Sequence, residues 1–509
     1  MFVLEVILGL VALIVLGLWW WQRSASASWK KHGVSYIPGP PLIGVIKETM
    51  LFRKSFGDLF LELYNHPQFK EEPITGVYFF HKPSLIIRHP EIIKNILVKD
   101  FQNFVDRPIS SDPHYDGIGR DNLFSAKGTR WKTIRAKVSP VFTSGKLRNL
   151  FLLLVDVAQV LEQKLANEIG EESREKSREY EMKELAGLYA TDTISICAFG
   201  VEANSLFNPN AEFRINARRA TDFDWKRSIE LSTCFFLPEL ATWLKFAFFS
   251  NETNQFLRSS IKYVMEKREK SGTKRGDLID TLITMKNENP DFFYGDTLVA
   301  QAAIFLIAGY ETASSVTSFA LYELCRHPEV QEKLRKEFRE YSEKYGTIQY
   351  ESINEMEYLH MVVKEILRLY PPLPFLDRVC IPADDKESYS LEPYHKFAIP
   401  RGMKVYIPVI PIHRDPKYFP NPDDFIPERF SSKNRDSAEQ YNYLAFGQGP
   451  RNCIGNRLGY FQIKLALFTI LRNYMVEKSN KTPTKIEFNR KSLVTQSEAP
   501  LYMNLTRIV

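Results

Sequence analysis

The distribution of apolar residues sets the start of the chain apart from the rest. Val6–Trp21 is a run of sixteen residues that are all apolar or glycine, and Glu5 is the only charged residue before it. As a helix, the first 21 residues would reach about 31 Å, enough to cross the hydrocarbon layer of a membrane. Trp19–Trp21 end this run, and Arg23 and two lysines follow. The pattern predicts a transmembrane helix with a lumenal N-terminus and a cytosolic body.

A cleaved signal peptide is the alternative, because Ala25-Ser26-Ala27 resembles a cleavage site. Against cleavage, the residues before the apolar run include Glu5 and neither Lys nor Arg. A cytosolic body also predicts that the sequons at Asn251 and Asn504 stay unmodified. Ile37–Pro41 is proline-rich and predicts a stiff, extended hinge. We therefore expect an anchor over 1–22, a basic and proline-rich hinge over 23–41, and a catalytic domain over 42–509.

The body alternates between helical and strand-like patterns. Strands are predicted over 74–80, 84–87, 373–380, 396–409 and 493–505, and helices over 90–99, 147–200 and 296–326. Between them, the charged run 171–183 predicts an exposed turn or helix end, and 262–274 predicts a polar connector. Residues 235–249 are apolar and allow two interpretations, a lid that dips into a membrane or an ordinary buried helix.

Composition narrows the class of protein. The chain has 509 residues, of which 44% are hydrophobic and 25% charged, as in a globular protein. Its net charge of +6 fits a membrane surface or an anionic partner. Lys and Arg form no dense stripe, so we expect no nucleic-acid partner. The five cysteines form no C-x-x-C pair and suggest free cytosolic thiols rather than a zinc site or disulfides.

One cysteine lies in an unusual loop, Phe446-Gly-Gln-Gly-Pro-Arg-Asn-Cys-Ile-Gly455. A helix is predicted from Asn456 to Leu471, so Cys453 lies close to a helix N-terminus. Backbone N–H groups, the helix dipole and Arg451 would lower the pKa of a thiol there and favour thiolate. A thiolate held in this way suits ligation of haem iron, whereas a lone Cys is more often a small buried hydrophobe.

The ten-residue pattern resembles the haem-binding loop of the cytochrome P450 family, in which Cys453 falls on the axial iron ligand. The resemblance implies haem b as cofactor, with Phe446 and Arg451 in its binding loop. The whole chain follows the microsomal members in order, and Phe142–Lys146 is closest to insect detoxifying ones. Asn456–Gly459 and the turn Gln496–Pro500 depart from the usual family sequence, which puts local packing and substrate choice in doubt.

The pentapeptide Ala308-Gly-Tyr-Glu-Thr312 lies inside the long predicted helix. A glycine there costs about 1 kcal/mol relative to Ala, so we expect it to admit a close neighbour such as a flat ring. The Thr312 hydroxyl can bond back to the Ala308 carbonyl. In the family this segment lines the oxygen side of the haem, where Thr312 would give a hydrogen bond and Glu311 would connect the proton supply. By itself the segment could be a helix kink beside a surface acid.

Further motifs match the family in order. Glu365 and Arg368 form an E-x-x-R pair, which alone would predict a surface ion pair; the resemblance implies a buried network with Arg429 of Pro427-Glu-Arg-Phe430. Trp131 and Arg135 share a helix face, as a stacking pair or, by resemblance, as haem-propionate ligands. The resemblance also gives Arg378 a propionate role. By position alone it places Ala308 beside the haem, and Phe305 and Leu376 beside the substrate.

These observations predict a mainly α fold with small β-sheets (α+β), of the triangular cytochrome P450 type, behind one N-terminal transmembrane helix. The resemblance implies a monooxygenase of the endoplasmic reticulum that inserts one atom of O2 into apolar small molecules. No nicotinamide or flavin motif appears, so electrons would come from NADPH–cytochrome reductase, and cytochrome b5 is a second candidate donor. The alternatives are a haem-thiolate isomerase or dehydratase of oxygenated lipids, which the Glu311–Thr312 pair disfavours, and a non-catalytic haem binder.

Overall fold

The computed structural model describes residues 2–112, 114–169, 176–434 and 442–508, and most of them are helical. Within these ranges we number the α-helices α1 (Phe2–Lys31), α2 (Lys47–Met50), α3 (Phe56–Tyr64), α4 (Pro90–Lys94), α5 (Gly117–Asp121), α6 (Gly128–Val138), α7 (Ser144–Ile169), α8 (Met182–Ile194), α9 (Glu212–Thr221), α10 (Trp225–Phe236), α11 (Pro238–Trp243), α12 (Asn251–Ser271), α13 (Leu278–Glu288), α14 (Asp296–Arg326), α15 (Pro328–Tyr345), α16 (Glu357–Leu369), α17 (Val409–His413) and α18 (Asn456–Asn473).

The strands of the described residues form three small sheets. They are β1 (Ile74–Phe79), β2 (Lys82–Ile87), β3 (Ser177–Glu181), β4 (Phe375–Val379), β5 (Ser388–Ser390), β6 (Ala398–Pro400), β7 (Lys404–Pro408), β8 (Tyr474–Lys478) and β9 (Tyr502–Arg507). The sheet orders are β1-β2-β7-β4, β3-β9-β8 and β5-β6. The prediction of a mainly helical fold with small sheets is confirmed.

Helix α14 runs through the core and matches the predicted bounds Asp296–Arg326. Asp296 lies in its first turn, where a negative charge interacts favourably with the helix dipole. Pro328 follows its end and cannot continue the helix. By length and composition, α14 is the one helix in the described ranges that could cross a membrane, but 67% of its apolar window is buried inside the protein. Its apolar character is therefore explained by the core.

The N-terminal helix continues beyond the predicted anchor. α1 extends to Lys31, and the Trp21 ring meets Tyr78 edge to face with centroids 5.3 Å apart. Trp29 is buried against Gly76 of β1, where any added Cβ would lie 2.7 Å from the indole. The proline-rich segment then follows the same strand, since the N–H of Ile37 donates to the Gly76 carbonyl oxygen at 3.0 Å. The transmembrane character of α1 stays a prediction.

Two other predictions from local pattern are wrong. Residues 262–274 are not a connector, because helix α12 continues through most of them to Ser271. The charged run 171–183 contains strand β3, which pairs antiparallel with β9, and then the start of α8. Only 171–175 of that run lie outside the described residues. In both segments the side chains are mostly polar, so the sequence pattern did not indicate strand β3 or the end of helix α12, which pack on partners distant in sequence.

The apolar stretch 235–249 is partly buried and partly exposed, and its contact with a membrane stays a prediction. It covers the end of α10, the short helix α11 and the chain beyond it. Ala241 and Phe249 are buried, as in an ordinary core helix, whereas Trp243 is 78% exposed. The stretch therefore packs one face on the protein and turns large apolar side chains outward.

Candidate active site

The loop before α18 has the backbone that its glycines predict. Gly447 and Gly449 have φ angles of +68° and +71°, a region open mainly to glycine. A Cβ at Gly449 would lie 1.7 Å from the Leu97 carbonyl oxygen, so no other residue fits this close approach. The N–H of Cys453 donates to the Phe446 carbonyl oxygen at 2.8 Å. This bond closes the loop and presents the thiol just ahead of α18.

The Cys453 side chain is exposed, whereas the other four cysteines are buried. Burial of the surrounding site nevertheless raises the pKa of the Cys453 thiol, and the Gly455 N–H and the Arg135 charge offset only part of that effect. The expectation that backbone N–H groups, the helix dipole and Arg451 together lower this pKa is therefore wrong for the protein without haem. A thiolate at this position needs a further positive charge, which a ligated iron would supply.

Helix α6 lies against the cysteine loop through the face that its spacing predicts. The Arg135 guanidinium donates to the carbonyl oxygen of Asn452 at 2.9 Å and to its side-chain Oδ1 at 3.0 Å. Trp131 is buried, and the Arg451 guanidinium lies over its ring, 4.6 Å from the centroid. Both predicted residues thus contact the loop, Trp131 through Arg451 and Arg135 through Asn452.

Three buried arginines lie together beside this loop. Burial and the charge of Arg107 lower the pKa of Arg378 to about 9, and the pKa of Arg451 falls to about 8 because burial adds to repulsion by both other guanidiniums. Asp377 offers partial compensation through an ion pair with Arg107 at 2.9 Å. Within the described residues, the Nε atoms of all three arginines lack a hydrogen-bond partner.

This donor set fits an anionic ligand such as the two propionates of haem. Buried cations without enough carboxylates are costly unless another anion approaches. The Arg378 guanidinium donates to the Asp377 carbonyl oxygen at 2.7 Å, and that of Arg451 to the carbonyl oxygen of Phe124 at 3.0 Å. Both groups keep N–H donors for a carboxylate. Arg107 belongs to the cluster although its sequence context carried no motif that predicted it.

The middle of α14 supplies the opposite side of the site. Between residues 297 and 325, accessible surface is confined to positions 304–312, with Ala308 the most exposed. Phe305 stacks on Phe142 with centroids 5.5 Å apart, and a Cβ at Gly455 would lie 3.6 Å from the Phe142 ring. These contacts bring the accessible part of α14 next to the cysteine loop. Leu376, the second substrate candidate, is buried on β4, 3.9 Å from a Cβ built at Gly447.

Thr312 has the predicted back-bond, because its hydroxyl donates to the Ala308 carbonyl oxygen at 2.7 Å. The bond adds a second donor to the Ala308 carbonyl oxygen, which would otherwise accept only within the helix. The Thr312 hydroxyl oxygen can still accept a hydrogen bond. Gly309 allows α8 to pack closely on α14, because a Cβ there would lie 2.5 Å from Cδ1 of Ile194 on α8. A flat ring as a further neighbour of this glycine stays a prediction.

Glu311 is turned away from the face of Thr312. It is 4% exposed, and its Oε1 lies 2.6 Å from the Lys183 ammonium nitrogen of α8. Lys183 also donates to the hydroxyls of Ser314 and Ser315, at 2.8 and 2.6 Å. The Lys183 side chain is partly exposed, whereas the carboxylate that it binds is buried. Sequence reasoning missed Lys183, which no local motif identifies.

The E-x-x-R pair forms a buried network, as predicted. Arg368 binds Glu365 through two bonds, Nε to Oε2 at 2.7 Å and an η-nitrogen to Oε1 at 2.8 Å, and both side chains are fully buried. Arg429 reaches the same carboxylate at 3.3 Å. Further Arg368 bonds go to the backbone carbonyl oxygens of His413, Pro422 and Asp424.

His413 connects that network to the cysteine loop. The N–H of Leu444 donates to its Nε2 at 2.8 Å, so Nδ1 carries the proton and donates to the Arg368 carbonyl oxygen at 3.0 Å. Burial and the neighbouring Arg368 charge lower the pKa of His413 to about 3, so the ring is neutral. Leu444 lies two residues before Phe446. His413 therefore positions the cysteine loop relative to α16.

Comparisons with known proteins agree with this geometry. A family model described as cytochrome P450 matches residues 37–504. The chain is 42% identical over 491 residues to probable cytochrome P450 6g2 of Drosophila melanogaster, covering 94% of both chains. It is 40% identical to probable cytochrome P450 6w1 of the same species, with 96% and 95% covered. Cytochrome P450 6k1 of Blattella germanica is 39% identical, with 93% of this chain and 92% of that protein covered.

Proposed function

Since the chain belongs to the cytochrome P450 family and is a haem-thiolate monooxygenase that uses haem b, we propose that Cys453 supplies the axial thiolate. The observation that carries this assignment is the position of the Cys453 thiol, exposed in a closed loop between Arg135 and the accessible part of α14. When bound, the haem supplies the activation of O2 and the insertion of one oxygen atom into the substrate. The protein supplies binding, orientation and protons.

Arg378 and Arg451 would hold the propionates, together with Arg135 and the ring of Trp131. The support is the unbalanced positive charge of the arginine cluster and its unpaired Nε atoms. Charge-assisted bonds from guanidinium groups are strong and directional, so they would fix the plane of the haem relative to α14. Phe446 and Ala308 would border its two faces.

Thr312 and Glu311 would deliver protons to the oxygen side. The Thr312 hydroxyl donates to Ala308 and can accept a hydrogen bond from a water or a substrate. Glu311 would receive protons by way of Lys183, whose side chain is partly exposed. A relay of this kind contributes typically 10²–10⁴-fold to rate. In this relay Lys183 would pass the proton to Glu311, and Thr312 would hold the hydrogen bond at the oxygen side.

Members of this family generally take electrons from NADPH–cytochrome P450 reductase and act on small molecules. We propose that the same reductase donates here, with cytochrome b5 as a second donor. The exposed side of α6 offers positive charge for docking through Lys132, which is exposed, whereas Lys137 is already paired with Glu288. Opposite charges across an interface raise the association rate. The substrate would be apolar and would meet Phe305 and Leu376.

The endoplasmic reticulum membrane is the proposed location, with α1 as a single-pass anchor and the body in the cytosol. Support comes from the apolar run of α1 and from large exposed apolar side chains on the body, among them Trp243, Leu240 and Leu42. Lys82 at the start of β2 pairs with Glu239 of α11 at 3.3 Å, so α11 lies beside the β1–β2 hairpin. Grouped exposed apolar residues favour contact with a lipid surface.

The carbon monoxide difference spectrum of the dithionite-reduced protein tests the central assignment. We expect the strongly red-shifted Soret band of a thiolate-ligated haem, lost in Cys453→Ala and kept in Cys325→Ala. Cys325 is a matched control because it is buried on α14 away from the loop. A histidine-type Soret band in the unaltered protein, or its survival in Cys453→Ala, would contradict the assignment.

A further inference from the structure

The side chain of Gln496 reaches the buried acid of α14 from a part of the chain 185 residues away. Its Nε2 donates to Oε1 of Glu311 at 2.8 Å. The same oxygen accepts from the Lys183 ammonium at 2.6 Å and from the Ser315 hydroxyl at 2.9 Å. Three elements, namely α8, α14 and the turn before β9, thus meet on one carboxylate oxygen.

The turn that carries Gln496 is itself held firmly. The Thr495 N–H donates to the Pro372 carbonyl oxygen at 2.9 Å, and the Thr495 hydroxyl to that of Pro371 at 2.5 Å. The N–H of Asn489 donates to the Gln496 carbonyl oxygen at 2.9 Å. Pro372 leads into β4, which carries Leu376. The turn is therefore bonded at Thr495 to the chain that enters β4 and at Gln496 to the Glu311 carboxylate of α14.

The other charged groups around Glu311 are engaged elsewhere. Arg214 of α9 binds Glu184 and the Tyr310 hydroxyl, each at 2.6 Å. Glu181 accepts from the backbone N–H groups of Lys183 and Leu501, at 3.1 and 3.0 Å. The carboxylate of Glu311 is therefore oriented by Lys183, Ser315 and Gln496. A lysine ammonium is a mobile point charge, whereas a planar amide fixes direction.

On the relay proposed above, we infer that Gln496 is a positioning residue for the reaction, because its amide fixes the Glu311 carboxylate and so ties the 489–500 turn to proton delivery beside Thr312. The turn and the acid then move together. A substrate that displaces the turn alters the proton supply as well as the fit of the pocket.

The electron balance of the enzyme gives a direct measure of that supply. One NADPH supplies two electrons, which with O2 and two protons give either hydrogen peroxide, or one water and one oxidised substrate. Without substrate, four electrons and four protons from two NADPH and medium reduce O2 to two waters. Slow or misdirected protons raise the share of peroxide, so the ratio of peroxide to NADPH reports on the relay.

The test compares variants of the full-length holoenzyme with NADPH–cytochrome reductase, first without substrate and then with 7-ethoxycoumarin as an apolar probe. Gln496→Leu keeps the size of the side chain but removes the donor. We expect the peroxide share to rise roughly threefold, as for loss of part of a general-acid contribution. The solvent deuterium isotope effect on NADPH oxidation should change with it. Ser497→Ala in the same turn should match the unaltered protein, because the Ser497 hydroxyl bonds locally, to the Ala499 carbonyl oxygen at 2.7 Å.

A double-mutant cycle separates positioning from a general packing role. In the Glu311→Gln background, Gln496→Leu should cause no further rise in the peroxide share, since both changes act through one carboxylate. Equal effects in both backgrounds, or the same rise in Ser497→Ala, would overturn the inference. If Gln496→Leu loses haem, Gln496→Glu keeps the size and sets two carboxylates together, and it should raise the share above that of the unaltered protein. The carbon monoxide band of each variant keeps failure of the inference distinct from failure of the haem-thiolate assignment.

Discussion

His413 and Arg368 exchange hydrogen bonds, each using its side chain on the backbone of the other. His413 Nδ1 donates to the Arg368 carbonyl oxygen at 3.0 Å, and the Arg368 guanidinium donates to the His413 carbonyl oxygen at 2.8 Å. With Leu444 bound to the other ring nitrogen, this reciprocal pair fixes the start of the cysteine loop to α16. The geometry requires a neutral imidazole, because a charged ring would repel the Leu444 N–H and the guanidinium.

The neutral His413 predicts a specific pH dependence of stability. Its pKa falls from 6.5 in the unfolded chain to about 3 in the folded protein. Between these values the unfolded state binds a proton that the folded state does not, so stability decreases as the pH falls from 6.5 toward 3, by about 1.4 kcal/mol per pH unit at most. Denaturant midpoints at pH 7.0, 6.0 and 5.0 measure this slope. We expect His413→Gln to lower stability at pH 7 but to flatten the dependence, and an unchanged slope would refute the assignment.

Removal of one partner from the Glu365–Arg368 pair should be severe. Glu365→Gln leaves the fully buried Arg368 charge without its carboxylate, which costs roughly 3–5 kcal/mol. We expect poor haem incorporation and a large fall in thermal midpoint. Glu332→Gln is the control, because its pair with Arg339 is exposed and contributes less than about 1 kcal/mol. Comparable losses in the two variants would mean that burial does not set the strength of the network.

The arginine cluster predicts opposite effects with and without haem. Arg451→Leu removes one of three neighbouring buried cations, so the haem-free protein should be as stable as the unaltered one or more stable. The haem-loaded protein should lose haem faster, because a donor to the propionates is gone. Transfer of haem to an excess of apomyoglobin and the thermal midpoint of each form provide the two measurements. Slower haem loss in Arg451→Leu would contradict the propionate role.

Close packing between α14 and α8 predicts how Gly309 tolerates substitution. Gly309→Ala gains about 1 kcal/mol of helix propensity, but its Cβ meets Cδ1 of Ile194 at 2.5 Å, and overpacking costs roughly 1–3 kcal/mol. We expect net destabilisation that Ile194→Val relieves. Gly459→Ala on α18 is the matched control, because its Cβ would have no neighbour within 4 Å. That variant should be stabilised slightly. A gain in both glycine variants would show that Ile194 yields freely.

Local spacing was enough to predict those features in which the partners lie within one helix. The Thr312 bond to Ala308 spans four residues, and Trp131 and Arg135 share a face for the same reason, so their arrangement follows from helix geometry. The cysteine loop was equally local, since its glycines and Cys453 specify one tight turn. The close contact between Gly309 and Ile194 did not follow from local spacing, because Ile194 is on another helix.

Features that depend on distant partners could not be predicted in this way. Strand β3 is polar and partly exposed, and only its pairing with β9 makes it a strand. Lys183, Gln496 and His413 become functional candidates through contacts that span between 31 and 185 residues. Their sequence contexts are ordinary. The pKa of Cys453 was misjudged for a related reason, since burial by remote parts of the chain outweighs the local helix terminus.

The convergence on Glu311 also has a consequence for biogenesis. Chains are synthesised from the N-terminus, so Lys183 and then Glu311 leave the ribosome before Gln496. The ion pair between α8 and α14 can therefore form while the 489–500 turn is still absent, and the acid acquires its amide donor last. A nascent or stalled chain that ends between 312 and 495 would hold a lysine-bound glutamate whose direction is not yet fixed. Completion of the proposed relay is thus coupled to synthesis of the final turn.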